Sequence, residues 1–219
     1  MSLARPSQVP GALQTSDARR SAAEVLRGLG VALLSHEVDD DTLRELAAGL
    51  RAATDTVLIG PPRVRSFAEI TLEPEADEVA EGEELGHFDG CFVTGEASPI
   101  GLAVRAHRDG DGLAATASFP RSFEGMPGYA HGGIVLAVFD DLIGLTIGRL
   151  LRISAPTVRV EVDFRKPVPL DRDIEFRTRL ISSDGRKRVV TATATIGDMV
   201  HAEAQALLIV LPPDYSIGA

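Results

Sequence analysis

Cysteine is almost absent from this chain of 219 residues, which contains only Cys91. A single cysteine excludes an internal disulfide and the paired cysteines that are common in zinc sites. This scarcity fits the reducing cytoplasm, which is the location that the sequence predicts. The remaining histidines and carboxylates show no metal-binding spacing along the chain, so no metal is expected.

Long apolar runs are also absent, since no stretch approaches the roughly 20 residues that a membrane-spanning helix needs. The beginning of the chain lacks the apolar core of a secretory signal and predicts a flexible arm. Basic residues are few: 22 Lys and Arg stand against 32 Asp and Glu, a net charge of −10. We therefore expect no membrane span and no general affinity for nucleic acid, although a local basic pocket for one anionic ligand stays open.

The N-terminal part contains two predicted amphipathic helices, at residues 17–34 and 39–54. Apolar residues recur in each at the three- and four-residue spacing of one helix face. An acidic run follows at 73–84, "EPEADEVAEGEE", and is typical of a solvated loop or linker. We therefore divide the chain into residues 1–90, an arm with a helical extension and an acidic linker, and residues 91–219, the main domain.

The C-terminal half alternates between strand patterns and turn signals. Residues 100–108 and 112–119 are strand-like and are joined by "DGDG", a hairpin turn sequence. In "TVRVEVDF", residues 157–164, apolar and polar side chains alternate, as in a strand with one apolar face. Three further strand patterns, separated by "SDGR" and "GD", complete a β-meander. The predicted element order of this half is β-β-α-β-β-β-β.

The segment 131–150 is too long and too evenly apolar for a helix on the surface. A helix that is apolar on most sides is buried on most sides, which one antiparallel sheet achieves by curling around it. Two carboxylates, Asp140 and Asp141, nevertheless lie in the middle of this segment. Because burying an unpaired carboxylate is costly, we expect them to be paired or functional.

Two stretches carry a resemblance to a known family: "FEGMPGYAHGGIVLAVFDD" and "TVRVEVDFRKPVPL". They resemble the PaaI-like and THEM-like acyl-CoA thioesterases of the hotdog fold, over residues 100–211. The resemblance implies an α+β hotdog fold, in which a curled antiparallel sheet surrounds a long central helix, here with an N-terminal helical extension. It also implies hydrolysis of acyl-CoA to free acid and CoA, with no cofactor beyond the CoA of the substrate.

The sequence "HGG", residues 131–133, begins the central helix. The first N–H groups of a helix have no intrahelical acceptor, the helix dipole adds positive potential, and glycine lets a ligand approach the backbone. These properties suit a developing oxyanion, although tight packing under the sheet explains Gly132 and Gly133 equally well. The resemblance implies that the Gly132 amide is the oxyanion donor and that Gly133 contacts the substrate.

Asp140 follows His131 by nine residues, which in a helix is about half a turn out of phase and roughly 13 Å along the axis. The two residues cannot meet at one thioester within a single helix. If both serve one substrate, they come from two chains packed side by side, so the spacing predicts a homodimer or a dimer of dimers. The resemblance implies the same division, with the HGG amide from one subunit and the acidic residue from the other.

The resemblance aligns Asp140 with the family's acidic residue, which acts as general base on water or as a nucleophile that forms an anhydride; both remain open. Asp141 lies about 100° away around the helix and is expected to be partly exposed or paired with arginine, or else to support the acyl site. Thr157 is an ordinary strand residue or, as the resemblance implies, bonds the attacking water or Asp140. His131 has a supporting role, at the substrate carbonyl or in orienting the loop.

Four further residues are candidates for substrate binding. Glu124 and Gly125 occupy the loop position at which many relatives have an asparagine, so the positioning of the carbonyl or the water differs here. Arg165 and Lys166 end a strand near the expected groove and are candidate partners for the anionic end of CoA. The expected small-molecule partner is therefore acyl-CoA, the proposed substrate.

A non-catalytic hotdog protein that binds acyl-CoA or serves as a scaffold is the alternative function. The presence of Asp140 and Gly132 favours hydrolysis, because a scaffold needs neither. A hydratase fits less well, since hotdog hydratases place a catalytic Asp and His a few residues apart and this chain does not. Residues 186–188, at a hairpin, are either a second cationic cluster for CoA or solvated turn charge. His87, His107 and His201 are scattered and are expected to be structural or exposed.

Overall fold

The computed structural model describes residues 16–63 and 79–212. The predicted flexible arm before residue 16 and the acidic residues 73–78 lie outside the described residues. Within the described part of the chain, no helix combines the length and the apolar character that crossing a membrane requires.

Both predicted N-terminal helices are present, α1 at Asp17–Ser35 and α2 at Asp40–Leu58. Each begins at a side-chain cap. The Ser16 hydroxyl accepts a hydrogen bond from the Arg19 amide, and the Asp39 carboxylate accepts from two amides of the first turn of α2. The helix boundaries thus follow from local capping as well as from the apolar pattern.

The first helix attaches the extension to the rest of the protein. Ala23 is buried, and the Arg27 guanidinium donates to the backbone carbonyls of Glu96 at 3.1 Å and Ser98 at 2.6 Å. α2, by contrast, contains no buried residue. The extension therefore docks through α1.

The described residues contain one antiparallel sheet of seven strands, in the order β1-β2-β3-β5-β6-β7-β4. The predicted hairpin turns are confirmed, with Gly110, Gly185 and Gly197 at positive φ in the β2–β3, β5–β6 and β6–β7 connections. The strands are β1 (Glu84–Leu85), β2 (Arg105–Asp109), β3 (Gly112–Ala117), β4 (Thr157–Phe164), β5 (Ile174–Asp184), β6 (Lys187–Ile196) and β7 (Met199–Ile209).

The sequence does not predict strand β1, because two residues are too few to show the alternation of apolar and polar side chains that is typical of a strand. It pairs with β2, and its Leu85 is buried in the core. Residues just before position 90 therefore pack with the main domain. The division of the chain at residue 90 itself stays a prediction.

The central helix predicted for 131–150 consists of an α-helix, α3 (Gly132–Leu145), and a terminal π-helical turn, Thr146–Leu150. The sheet curls around α3, and the two share one hydrophobic core. Phe139 of α3 meets Phe176 of β5 edge-on, with the ring centroids 5.3 Å apart. The predicted architecture, a curled antiparallel sheet around a central helix, is confirmed.

One side of α3 stays outside the core. Leu136 retains 39% of its exposure, and its neighbours on the same side are at most partly buried. Their three- and four-residue spacing places them in one stripe along the helix, which we call the α3 stripe. The helix is buried on most sides, as predicted, and this stripe is the side that the described residues leave uncovered. The α3 stripe consists of Gly133, Leu136, Ala137, Asp140 and Gly144.

Strand β4 lies at the edge of the sheet and pairs only with β7 among the described strands. Its predicted apolar face is not fully covered, since Val158 retains 56% of its exposure and Phe164 49%. An edge strand presents unpaired backbone groups, and exposed apolar side chains beside them form a template for another chain. The α3 stripe and the β4 edge are thus two surfaces that the described chain leaves uncovered.

Candidate active site

The beginning of α3 has one free backbone donor. His131 is the N-cap residue, and its Nδ1 accepts a hydrogen bond from the Gly133 amide at 3.0 Å. The Gly132 amide has no acceptor among the residues that the structure describes. The two glycine amides of the motif therefore differ. The Gly133 amide donates to the capping side chain, and the Gly132 amide is available to a ligand.

The imidazole of His131 can donate a hydrogen bond from its second nitrogen. Because Nδ1 accepts from Gly133, the proton of the neutral ring lies on Nε2. The residue is exposed, so Nε2–H is accessible in front of α3. This geometry is compatible with both supporting roles predicted for His131, at the substrate carbonyl or in the loop.

The loop before α3 is closed by its own contacts. Glu124 accepts a hydrogen bond from the Gly128 amide at 2.6 Å and pairs with Arg121 at 3.3 Å. A Cβ on Gly125 would lie 2.8 Å from the His131 Cα, so only glycine fits at this approach. Glu124 and Gly125 therefore hold the loop against His131. Their contact with the substrate stays a prediction.

Asp140 lies on the α3 stripe, slightly more than two helical turns after Gly132. Its Oδ1 is buried and has no hydrogen-bond partner among the described residues. Buried carboxylate oxygens are normally satisfied, so an unpaired one calls for a ligand or a partner. Since α3 is regular from Gly132 to Asp140, the two residues are about 12 Å apart along its axis.

Asp141 lies on the flank of α3 that residues 87–91 cover. Its Oδ1 is 2.9 Å from His87 Nδ1 and accepts a hydrogen bond from Cys91 Sγ at 3.3 Å. Burial lowers the pKa of His87, but its hydrogen bonds and charge interactions with Asp141 and Cys91 outweigh burial and raise that pKa from 6.5 to about 9. His87 is therefore protonated at neutral pH. Of the alternatives predicted for Asp141, the side chain is partly exposed, and its cationic partner among the described residues is histidine rather than arginine.

Sequence reasoning missed this His87–Cys91–Asp141 cluster. Cys91 and Asp141 are 50 positions apart, and no periodic pattern joins a loop residue to a helix flank at that distance. The one local signal is the spacing of His87 and Cys91, with three residues between them.

His201 and His107 are structural and exposed, respectively, as predicted, whereas a contact of the β5–β6 hairpin with CoA stays a prediction. His201 is buried and its Nδ1 lies 2.8 Å from the Pro167 carbonyl oxygen, while His107 is exposed. In the β5–β6 hairpin, Arg186 and Arg188 donate to backbone carbonyls. These contacts are structural.

Arg165 and Lys166 follow Phe164 at the end of β4. The ring of Phe164 lies against Gly132, since a Cβ there would be 3.2 Å from the ring. Both cationic side chains are exposed, and Arg165 pairs with Glu203 at 3.0 Å. The structure thus brings two cations to the end of α3 that has the free Gly132 amide. Their contact with CoA stays a prediction.

Thr157 lies at the opposite end of β4. It is half-buried and seven residues from Phe164, which in an extended strand is roughly 23 Å. Because Phe164 contacts Gly132, Thr157 is far from the Gly132 amide of its own chain. A shared role of Thr157 and that amide therefore requires a second chain.

Comparison with known sequences finds similar proteins over the part of the chain that contains α3. Residues 127–203 match the family model of the thioesterase superfamily. The acyl-coenzyme A thioesterase THEM4 of Rattus norvegicus is 32% identical over 93 residues, which are 42% of this chain and 40% of the rat protein. The Xenopus laevis protein of the same name is 32% identical over 92 residues, 41% of each chain. The chain thus spans about two fifths of the length of these curated relatives.

Comparison with solved structures supports the fold over a longer stretch. The crystal structure of protein RHA08564, a thioesterase superfamily protein, superposes with a TM-score of 0.74 at 20% identity. The match covers 89% of this chain and 92% of that protein, which is more than residues 91–219 alone supply. Part of the N-terminal extension is therefore included in the shared fold. The part of the chain that folds around α3 has the hotdog fold, and within it residues 127–203 are similar to the thioesterase superfamily.

Proposed function

We propose that the protein hydrolyses acyl-CoA thioesters to the free acid and CoA at a site formed by two copies of the chain. One observation carries this proposal. The Gly132 amide and the buried Asp140 Oδ1 both lack a partner among the described residues, and both belong to α3. A backbone donor and a carboxylate are the two groups that thioester hydrolysis requires, since one stabilises the oxyanion and the other assists the attack.

The separation of these two groups argues for two chains. A thioester carbon must lie within a few ångströms of both groups, whereas one helix holds them about 12 Å apart. In a symmetric dimer, residue i of one chain meets residue j of the other and the reverse also holds. One twofold axis beside α3 therefore forms two equivalent sites, each with Gly132 from one chain and Asp140 from its partner.

The uncovered surfaces of the chain suit such a dimer. The β4 edge offers unpaired backbone groups with exposed Val158 and Phe164, and the α3 stripe offers exposed Leu136 next to Asp140. Burying these apolar groups stabilises an assembly. Pairing of two β4 edges would extend the sheet across the twofold axis, with the two α3 stripes facing each other. A dimer of such dimers is compatible with the same interface.

The proposed reaction uses the groups as follows. The thioester carbonyl oxygen accepts from the Gly132 amide, and negative charge develops there as the carbonyl carbon is attacked. The Asp140 carboxylate of the partner chain either takes a proton from the attacking water or attacks directly to form an anhydride that water then opens. In both routes the C–S bond breaks and CoA leaves as the thiol. His131 supports the reaction at the carbonyl or by orienting the loop, and Thr157 supports it by bonding the attacking water or Asp140.

Charge supports a CoA thioester as the substrate class. The chain carries a net charge of −10, so an anionic ligand needs local cations. Arg165 and Lys166 provide them beside the Gly132 end of α3, where a thioester bound at the amide would extend its CoA part. The curated relatives are named acyl-coenzyme A thioesterases, which agrees with this choice. Cytoplasmic location and the absence of a cofactor stay predictions.

A screen of acyl-CoA substrates of graded chain length, with release of the CoA thiol as the signal, tests the proposed function. We expect hydrolysis of at least one chain length, with the rate set by how the acyl group fits between the two chains. Binding of acyl-CoA with no thiol release across the series would contradict hydrolysis and favour the non-catalytic binding protein.

A further inference from the structure

Three side chains with metal-binding atoms meet outside the proposed active site. His87 and Cys91 come from the loop before β2, and Asp141 comes from the flank of α3. Their ligand atoms all lie within 4.8 Å of one another. The cluster is largely enclosed, since the side chains of His87 and Asp141 retain 25% and 15% of their exposure and Cys91 is buried.

The distances approach those of a tetrahedral metal site. With Zn–N near 2.0 Å and Zn–S near 2.3 Å, neighbouring ligand atoms in a tetrahedron lie about 3.3–3.7 Å apart. Asp141 Oδ1 is 2.9 Å from His87 Nδ1 and 3.3 Å from Cys91 Sγ. For these two pairs, shifts of a few tenths of an ångström give tetrahedral spacing, and the third pair, His87 and Cys91, lies within 4.8 Å.

A second observation points to a missing partner at this cluster. Asp141 Oδ2 is buried and has no hydrogen-bond partner among the described residues. The contacts with His87 and Cys91 both involve Oδ1, so they leave Oδ2 unsatisfied. A metal ion bound by both oxygens of the carboxylate would satisfy it.

The loop that carries two of the three side chains is rigidly folded. The Cys91 amide donates to Phe88 at 2.9 Å, and the Gly95 amide donates to Cys91 at 2.9 Å. A Cβ on Gly95 would lie 2.4 Å from the Cys91 carbonyl oxygen, so the backbone turns tightly around Cys91. The spacing of His87 and Cys91, with three residues between them, lies within the range of paired zinc ligands.

We infer that His87, Cys91 and Asp141 bind one divalent transition metal ion, for which zinc is the best match. A thiolate, an imidazole and a carboxylate are the ligands that Zn²⁺ combines in proteins, and the partly exposed side of His87 leaves a fourth position for water. The ion replaces the proton between His87 and Asp141 and the thiol proton of Cys91, and both protons pass to water. No oxidation state changes. The site ties the loop to α3 directly beside Asp140.

Cobalt titration of the wild-type protein tests this inference. The full chain, freed of any affinity tag and treated with chelator, is titrated with Co²⁺ and then with Zn²⁺. We expect one equivalent of Co²⁺ to produce a thiolate-to-cobalt charge-transfer absorption, which Zn²⁺ then abolishes. Because the chain contains a single cysteine, this absorption can come only from Cys91. Binding of cobalt without the thiolate absorption, or no stoichiometric binding, would overturn the inference.

Variants separate this site from the proposed active site. Cys91→Ser and Asp141→Asn should each weaken cobalt binding by at least about 10–100-fold, the loss that even outer-shell partners cause. Asp140→Asn, the matched control on the same helix, should bind cobalt as the wild type does although its hydrolysis is impaired. The melting temperature should rise with Zn²⁺ in the wild type and not in Cys91→Ser. Equal losses of cobalt binding in Asp140→Asn and Cys91→Ser would contradict the assignment.

Discussion

Asp140→Asn is expected to lower turnover of the best acyl-CoA substrate by about 10²–10⁴-fold, the usual contribution of general-base or comparable assistance. The amide keeps the shape and nearly the volume of the carboxylate, so the fold and substrate binding should persist. The physical reason is the Asp140 Oδ1, which no described residue bonds and which asparagine cannot replace as a base or nucleophile. Steady-state kinetics with thiol release, together with equilibrium binding of acyl-CoA, measure the two effects separately.

Asp141→Asn is the matched control, because it changes the same chemical group one residue later. Asp141 faces His87 and Cys91 on the covered flank of α3. Its loss should therefore lower the free energy of unfolding, since it leaves the protonated His87 without its counter-ion. Turnover per folded molecule should change far less than in Asp140→Asn. An inactive, fully folded Asp141→Asn protein beside an active Asp140→Asn protein would show that the roles of the two residues are reversed.

Gly132→Pro is expected to lower kcat by about 10²–10³-fold relative to Gly132→Ala, because proline removes the proposed oxyanion donor. Gly132 is the first helical residue after the His131 cap, a position where proline is well tolerated and its missing N–H breaks no helical bond. His131 has φ −63° and ψ 131°, an extended conformation that suits the residue before proline. Circular dichroism should show both variants folded.

Gly132→Ala controls for the added side chain. In both variants the new Cβ lies about 3.2 Å from the Phe164 ring, so this half-exposed ring must shift slightly in each. Only the proline variant also loses the N–H group. Equal activity of the two variants would show that the amide does not stabilise the transition state, and the motif's glycines would then serve packing.

The fold was predictable where its determinants are local. Two helices, three hairpin turns and the central helix follow from apolar spacing, caps and glycine-containing turns, which short stretches of sequence display. Strand β1 was not predictable, because its two residues show no alternation and it exists only by pairing with β2. The exposure of Leu136 and Val158 was not predictable either, since an apolar pattern does not reveal which surface covers it.

For the candidate site, the HGG motif, the nine-residue step to Asp140 and the family resemblance predict the two groups of the proposed chemistry, and helix geometry predicts their separation. The positions of both residues on α3 agree, while their roles stay predictions. The sequence did not reveal that the Gly133 amide donates to the His131 ring while the Gly132 amide has no acceptor among the described residues. This difference depends on the rotamer of His131. The partners of Asp141 depend on a contact between distant segments and became visible only in the folded chain.

A mixed dimer decides whether each active site combines Gly132 of one chain with Asp140 of the other. Gly132→Pro and Asp140→Asn chains are co-expressed with different tags, and the mixed dimer is isolated by sequential affinity purification. If two chains share each site, one site of the mixed dimer holds both lesions and the other holds none. Its turnover should then recover to about half that of the wild-type dimer, although each parent variant is nearly inactive. A mixed dimer as inactive as its parents would contradict the account, because it would place each site within one chain.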